Sequence, residues 1–219
     1  MTEARPEIAL MENAHVEEAY ARWAPVYDLA FTLVMAPGRR AAVSAAQRQG
    51  GSILDVGVGT GLELPMFQPD VKLVGVDLSE PMLRRAQTRV ARKKLRQVAG
   101  LCVMDATRLA FPSDHFDSVV APYVLTVVPD PAATLDELAR VVRPGGEIVL
   151  VNHVGADSGP VAWIEAWLGK KSASLGWRPE FPWSVLGDWI DSRPDLRLVE
   201  RRKIAPFGLF TLARIERLK

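Results

Sequence analysis

The chain has 219 residues, of which 48% are hydrophobic and 24% are charged, and its formal net charge is +1. These proportions are typical of a folded globular protein and exclude a mostly disordered chain. One cysteine, Cys102, and three scattered histidines exclude an internal disulfide and a structural zinc site. A net charge this small gives no sign of nucleic-acid binding. No apolar run approaches the ~20 residues of a membrane-spanning helix, and no secretory signal is evident, so we predict a cytoplasmic protein.

In chain order, apolar residues at three- and four-residue spacing first predict a helix over residues 13–35, kinked near Pro25, and another over residues 37–50. Short apolar runs that predict strands then alternate with helical patterns. The predicted strands are 53–56, 72–76, 101–104, 116–120 and 147–151, and the helices between them are 61–67, 80–92 and 131–141. Apolar strands separated by helices predict a doubly wound parallel sheet that is covered on both faces.

The pattern changes after the fifth predicted strand. Two helices are predicted at 160–170 and 182–191, and two strands follow at 196–204 and 209–215. Because only a short turn joins these two strands, they must pair in antiparallel fashion. The fold class predicted from these elements is therefore α/β, with a mostly parallel sheet, an antiparallel C-terminal hairpin and N-terminal helices.

A glycine-rich motif follows the first predicted strand. Asp55–Gly61 reads Asp-Val-Gly-Val-Gly-Thr-Gly, so glycines stand at 57, 59 and 61. Glycine allows the backbone to approach a ligand closely. Asp77 ends the second strand, where a carboxylate can accept hydrogen bonds from both ribose hydroxyls of a nucleoside. Asp105 ends the third strand, where it can meet the exocyclic amine of adenine.

Together with the Leu138–Gly146 segment, these motifs resemble class I S-adenosylmethionine-dependent methyltransferases over roughly residues 50–152. The resemblance implies a Rossmann-like seven-stranded sheet whose last strand is antiparallel. It also implies S-adenosylmethionine as methyl donor, S-adenosylhomocysteine as product and no metal. The cofactor-binding residues implied are Tyr27, Asp55, Gly57, Gly59, Gly61, Asp77, Leu78, Met82, Asp105 and Ala106. The alternatives are a nicotinamide-dependent dehydrogenase and a nucleoside-binding module without catalysis.

The acceptor is indicated by the end of the fourth strand and by the flanks. Ala121–Val124 reads Ala-Pro-Tyr-Val and lacks the acid or amide with which related enzymes grip a planar nitrogen, which argues against a nucleic-acid base. The segments Arg22–Asp28, Pro37–Arg40 and Pro206–Phe210 resemble bacterial phosphatidylethanolamine N-methyltransferases. Quinone-biosynthesis C-methyltransferases share much of the core. We therefore predict successive methylation of phosphatidylethanolamine towards phosphatidylcholine, with a quinone precursor or other small lipophilic acceptor as the alternative.

Three aromatic residues, one arginine and one histidine are predicted near the acceptor. His153 follows the fifth strand and can accept a proton or orient the amine, although it can equally be a polar residue that closes a strand. Tyr20 and Tyr123 are predicted catalytic residues, since aromatic rings attract a methylated ammonium. Tyr20 and Tyr27 can also be ordinary core residues. The predicted substrate-binding pair is Trp177 and Arg178, because a guanidinium matches phosphate oxygens.

One domain is predicted, because no linker or repeat is evident. Its parts are N-terminal helices over 1–50, serving as a membrane or lid element, a cofactor-binding core over 51–152, a substrate-covering insertion over 153–195 and a hairpin over 196–219. Basic residues are concentrated between Arg84 and Arg96. We predict a monomer that associates peripherally with the anionic inner face of the cytoplasmic membrane, chiefly through the 13–35 helix.

Overall fold

The computed structural model describes residues 33–153, 181–205 and 208–219. The chain divides into two compact units, residues 1–37 and residues 38–219. Of the first unit, residues 33–37 are described and are helical. The second unit contains the complete sheet, and all the features below belong to it. The prediction of one domain stays a prediction.

Seven strands form one sheet in the order β3-β2-β1-β4-β5-β7-β6. Strands β1 to β5 run parallel, and β7 lies antiparallel between β5 and β6. This topology confirms the predicted Rossmann-like fold with its antiparallel C-terminal hairpin. The strands are β1 Ser52–Val56, β2 Lys72–Asp77, β3 Val98–Val103, β4 Phe116–Pro122, β5 Val142–His153, β6 Leu196–Ile204 and β7 Phe210–Arg217.

Four helices in this unit are described: α1 over residues 38–46, α2 Glu80–Lys93, α3 Pro131–Val141 and α4 Trp183–Asp191. Single 3-10 turns occupy Gln47–Gln49 and Leu64–Met66. The helix predicted over 61–67 is therefore wrong. Gly61 has a φ of +72°, outside the helical region, and Pro65 has no N–H for a helical hydrogen bond. Both residues limit the segment to one short turn.

Apolar patterning explains why the elements pack as they do. In β1, four of the five residues are buried, as expected for a strand covered on both faces. Helix α3 begins at Pro131, and the Asp130 carboxylate caps it by accepting a hydrogen bond from the Ala133 N–H at 3.0 Å. Its buried Leu138 joins the core, and burying a leucine side chain contributes about 1.5–3 kcal/mol.

A buried ion-pair network joins the last three strands of the sheet. The Arg214 guanidinium on β7 donates to both carboxylate oxygens of Glu147 on β5, at 2.9 and 2.8 Å. It also donates to Glu200 on β6, at 3.0 Å. Only 11% of the Arg214 side chain and 8% of the Glu147 side chain are exposed, so this pair sits in a low dielectric. The network fixes the antiparallel hairpin to the parallel part of the sheet.

The strand order determines where a ligand can bind. The chain leaves β1 towards β2 on one side, and β4 lies on the other side of β1. In open α/β sheets, the crevice at such a reversal, outside the carboxyl ends of the strands, is the usual ligand site. The ends of β1, β2, β3, β4 and β5 all lie at this edge, so the predicted motif residues meet there.

Candidate active site

The glycine loop after β1 is pressed against the end of β4. The Gly57 and Val58 N–H groups donate to the Val76 carbonyl oxygen, at 2.8 and 3.1 Å. Gly57 has a φ of +73°, and a Cβ atom there would lie 2.3 Å from Val124 Cγ2. Glycine is required at this position both by the backbone conformation and by the close approach of Val124.

The Asp77 carboxylate is held in one orientation by two backbone groups. Its Oδ2 accepts a hydrogen bond from the Gly59 N–H at 2.8 Å, and its Oδ1 accepts one from the Ser79 N–H, also at 2.8 Å. A carboxylate has about four acceptor positions, so lone pairs remain for ribose hydroxyls. A Cβ at Gly59 would make only ordinary van der Waals contacts, the nearest at 3.8 Å from Met82 Sδ. The loop is therefore not tightly packed at this point beside Asp77.

Exposed apolar side chains lie beyond Asp77. Leu78 is 71% exposed, Met82 is 46% exposed and Val103, at the end of β3, is 54% exposed. Asp105 accepts two hydrogen bonds from Thr107 at its Oδ1, which lower the pKa of its carboxyl group. Ala106 is half-buried. An apolar surface bordered by a carboxylate suits a purine, so these residues fit the adenosine part of the predicted donor.

Two carboxyl groups are buried directly behind the glycine loop. Asp55 is wholly buried, and no N–H or hydroxyl group of the described residues donates to its carboxylate oxygens. Its charged neighbour is the carboxyl group of Glu63, which is 4% exposed and interacts with it electrostatically. Burial raises the pKa of Asp55 well above its usual range and raises that of Glu63 to about 7. One proton on the pair relieves the repulsion between the two groups.

Arg39, on α1, is the cation next to this pair. Its Nε lies 3.6 Å from Glu63 Oε2, and both side chains are largely buried. The sequence did not indicate this contact, although it did single out Pro37–Arg40 and the glycine motif separately. Glu63 falls in the segment predicted as a helix, where an acidic residue is expected to face solvent. Only the tertiary structure brings the arginine to the glutamate.

On the other side of the loop, Tyr123 and His153 meet around Phe210. The Tyr123 ring contacts the Phe210 ring edge-on at 5.0 Å, and the His153 and Phe210 ring centroids are 6.4 Å apart. Arg39 lies 5.8 Å from the Tyr123 ring centroid. Burial raises the pKa of the Tyr123 hydroxyl, which is therefore neutral near pH 7. Tyr123 also has a φ of +67°, which is unusual for a residue with a side chain.

The structure thus brings together two of the three predicted catalytic residues, His153 and Tyr123. Nine of the ten predicted donor-binding residues lie along the same edge of the sheet. The predicted helices over 13–35 and 160–170 lie partly or wholly outside the described residues. The predicted site residues in those stretches, also outside the described residues, are Tyr20, Tyr27, Trp177 and Arg178.

Metal-binding clusters and membrane-spanning helices are both absent from the described part of the chain. Within residues 33–153, 181–205 and 208–219, no three His, Cys, Asp or Glu side chains are grouped closely enough to hold a metal ion. No helix in those ranges is both long enough and apolar enough to cross a bilayer.

Comparisons with known proteins agree with this geometry. Residues 54–150 match the family described as "Methyltransferase domain". A phosphatidylethanolamine N-methyltransferase of Cereibacter sphaeroides is 41% identical over 207 residues, covering 94% of this chain and 100% of that protein. A demethylmenaquinone methyltransferase of Symbiobacterium thermophilum is 34% identical, covering 63% of this chain and 59% of that protein. The fold is also similar to the crystal structure of geranyl diphosphate C-methyltransferase from Streptomyces coelicolor, solved with S-adenosylhomocysteine. The TM-score is 0.67 at 14% sequence identity, and the match covers 83% of this chain and 80% of that one.

Proposed function

The chain belongs to the S-adenosylmethionine-dependent methyltransferases, and we propose that its methyl acceptor is the amine of phosphatidylethanolamine, methylated successively towards phosphatidylcholine. The observation that carries this proposal is the extent of one relationship. The named phosphatidylethanolamine N-methyltransferase matches 94% of this chain along its own entire length. The quinone methyltransferase matches only 63% of the chain. The similarity to the lipid enzyme therefore extends well beyond the part shared with the quinone enzyme.

The donor half of the proposal assigns S-adenosylmethionine to the edge of the sheet. When bound, it supplies a methyl group on a positively charged sulfur. The loop of Gly57, Gly59 and Gly61 would lie along its methionine part, with Asp55 behind the loop. Asp77 would hold the ribose, because two backbone N–H groups already fix its carboxylate. The residues proposed around adenine are Leu78, Met82, Asp105 and Ala106.

The acceptor half assigns the amine to the space near Tyr123 and His153. A primary amine attacks only when it is neutral, so its proton must leave first. His153 stands at the end of β5 and is proposed to take up that proton or to orient the amine. The rings of Tyr123 and Phe210 suit a nitrogen that becomes permanently cationic, since each such contact is worth about 0.5–2 kcal/mol. Holding the amine in line with the methyl group can lower the barrier by about 7–11 kcal/mol.

The remaining assignments are proposals on the same basis. Tyr20 is proposed near the acceptor and Tyr27 near the donor. Trp177 and Arg178 are proposed to hold the lipid phosphate. The protein is proposed to act as a monomer. It is also proposed to bind peripherally to the inner face of the cytoplasmic membrane. The exposed basic residues of α2 support an anionic surface as partner.

A direct test uses S-adenosylmethionine with a labelled methyl group. The protein is incubated with vesicles that contain phosphatidylethanolamine, and in parallel with vesicles that contain a demethylated quinone precursor. Labelled mono-, di- and trimethylated lipid is the expected result. Label in the quinone precursor together with none in the lipid would establish the alternative.

A matched pair of histidine variants tests the proposed role of His153. General acid–base catalysis typically contributes about 10²–10⁴-fold, so His153→Gln should lower lipid methylation by at least about 100-fold. His115→Gln is the control, because His115 is exposed and directly precedes β4, at the edge of the sheet opposite to the carboxyl ends of the parallel strands. Equal rates in the two variants would show that His153 does not take part in the reaction.

A further inference from the structure

Among the described residues, the charged groups at the buried Asp55–Glu63 pair include more carboxyl groups than guanidinium groups. Asp55 and Glu63 face each other, and Arg39 lies within ion-pair distance of Glu63. Two more charged groups act on the pair. Asp77 raises the pKa of Asp55, and Arg89, which donates to the Thr60 carbonyl oxygen at 3.0 Å, lowers the pKa of Glu63.

Charge balance decides how many protons the pair holds. If both groups were ionised, the carboxylates of Asp55, Glu63 and Asp77 would outnumber the guanidinium groups of Arg39 and Arg89 among the described residues, and an excess negative charge is strongly unfavourable in a low dielectric. A proton shared between the two carboxyl groups removes that charge. Asp55 then donates a hydrogen bond to Glu63, and Glu63 retains its ion pair with Arg39. The two groups titrate as one unit.

We propose that Glu63, held by Arg39, is a positioning residue that keeps one proton on Asp55 until the ammonium group at the amino-acid end of the methyl donor binds beside it, and that binding releases this proton. The donor's ammonium supplies the positive charge that the proton supplied before. The bond that breaks is the O–H bond of Asp55, and the proton goes to the solvent. No other group changes its oxidation state or bonding.

We base this inference on donor binding alone, and it holds whichever acceptor is methylated. The first test therefore omits the acceptor. Binding of S-adenosylhomocysteine is measured by calorimetry in two buffers of different ionisation enthalpy, which gives the number of protons released. Most of one proton should be released at about pH 6, and the number should fall towards zero as the pH rises past the raised pKa of Asp55. Where protons are released, the affinity should fall by up to about tenfold per pH unit as the pH drops.

A second ligand separates the ammonium from the rest of the donor. 5′-Methylthioadenosine contains the nucleoside and the sulfur but no amino acid. It should bind without releasing a proton at any pH. If wild-type protein releases no proton with S-adenosylhomocysteine at about pH 6, or the same number with both ligands, the proposal is wrong. These measurements need no variant, so they decide the question even if a variant fails to fold.

Two variants should shift the proton release in opposite directions. Glu63→Gln removes the charge that opposes ionisation of Asp55, so the pH at which release begins should move down. Arg39→Gln removes the cation that favours ionisation of the pair, so release should persist to higher pH. Simple structural damage would not produce opposite shifts. Glu216→Gln is the control, because Glu216 pairs with Arg197 at the opposite edge of the sheet. Shifts in the same direction, or none, would overturn the role of the Glu63–Arg39 pair.

Discussion

Replacing Gly59 by alanine separates the ligand-binding role of the loop from its structural role. In the protein, the added Cβ meets nothing closer than Met82 Sδ at 3.8 Å, so no clash results. Gly59 has a φ of +53°, however, and a left-handed conformation costs a residue with a side chain about 1–2 kcal/mol. For a chain of this size, 1 kcal/mol lowers Tm by about 2–4 °C. The expected decrease in Tm is therefore roughly 2–8 °C.

The effect on donor binding should be larger than this stability change suggests. The new methyl group stands 4.0 Å from Asp77 Oδ2, where we propose that the donor binds. Crowding a packed contact by one methyl group typically costs about 1–3 kcal/mol. That cost corresponds to a roughly 5- to 150-fold increase in the Kd of S-adenosylhomocysteine. Isothermal titration calorimetry on the folded variant measures this change directly.

Gly145→Ala is the matched control. Gly145 also has a left-handed backbone, with a φ of +78°, and its added Cβ would make only ordinary contacts, the nearest at 3.5 Å. It lies in β5 before Glu147, where regular pairing with β4 begins, at the edge of the sheet opposite to the carboxyl ends of the parallel strands. This variant should lose comparable stability and bind the ligand like the wild type. If Gly59→Ala loses stability yet binds the ligand normally, the donor does not lie against Gly59.

Three other expectations concern the donor site, the sheet and the membrane. Asp77→Asn should bind S-adenosylhomocysteine at least tenfold more weakly, because hydrogen bonds to a charged acceptor are worth about 1.5–3 kcal/mol each and the amide nitrogen cannot accept the backbone N–H bond that one carboxylate oxygen now accepts; calorimetry on the folded variant checks this. Arg214→Met should lower the free energy of unfolding by about 3–5 kcal/mol in urea titrations, because it leaves Glu147 and Glu200 without their common cation. The protein should float with anionic vesicles more than with zwitterionic ones, and salt should weaken that preference; equal, salt-insensitive flotation would contradict an electrostatic contribution.

The parallel core could be predicted because each strand is a short apolar run bounded by polar or glycine residues. Where that contrast is weak, the predicted ends are wrong. Strand β3 begins at Val98 instead of residue 101, since Ala99 and Gly100 interrupt the apolar pattern. Strand β5 begins at Val142, five residues before the predicted start, because its register with β4 shifts before Glu147. Local composition does not encode such an irregularity.

The candidate site was predictable to the extent that its residues belong to one contiguous motif or end a strand. Asp77 and the three glycines satisfy this condition. The contact between Arg39 and Glu63 does not, because the two residues are 24 positions apart and meet only when α1 is placed against the sheet. The raised pKa of Asp55 likewise depends on burial beside a second carboxyl group, which the sequence does not reveal.

The left-handed backbone at Tyr123 affects how this enzyme can be engineered. With a φ of +67°, this position favours glycine or asparagine over an aromatic residue, by about 1–2 kcal/mol. The packing of the ring opposes that preference, because the Tyr123 ring lies against Phe210 and removing a buried aromatic side chain typically costs about 3–5 kcal/mol. Glycine or asparagine at position 123 would relieve the backbone strain, lose this packing and remove a ring of the proposed acceptor site. Engineering for stability should therefore keep Tyr123 and seek its gains elsewhere in the sheet.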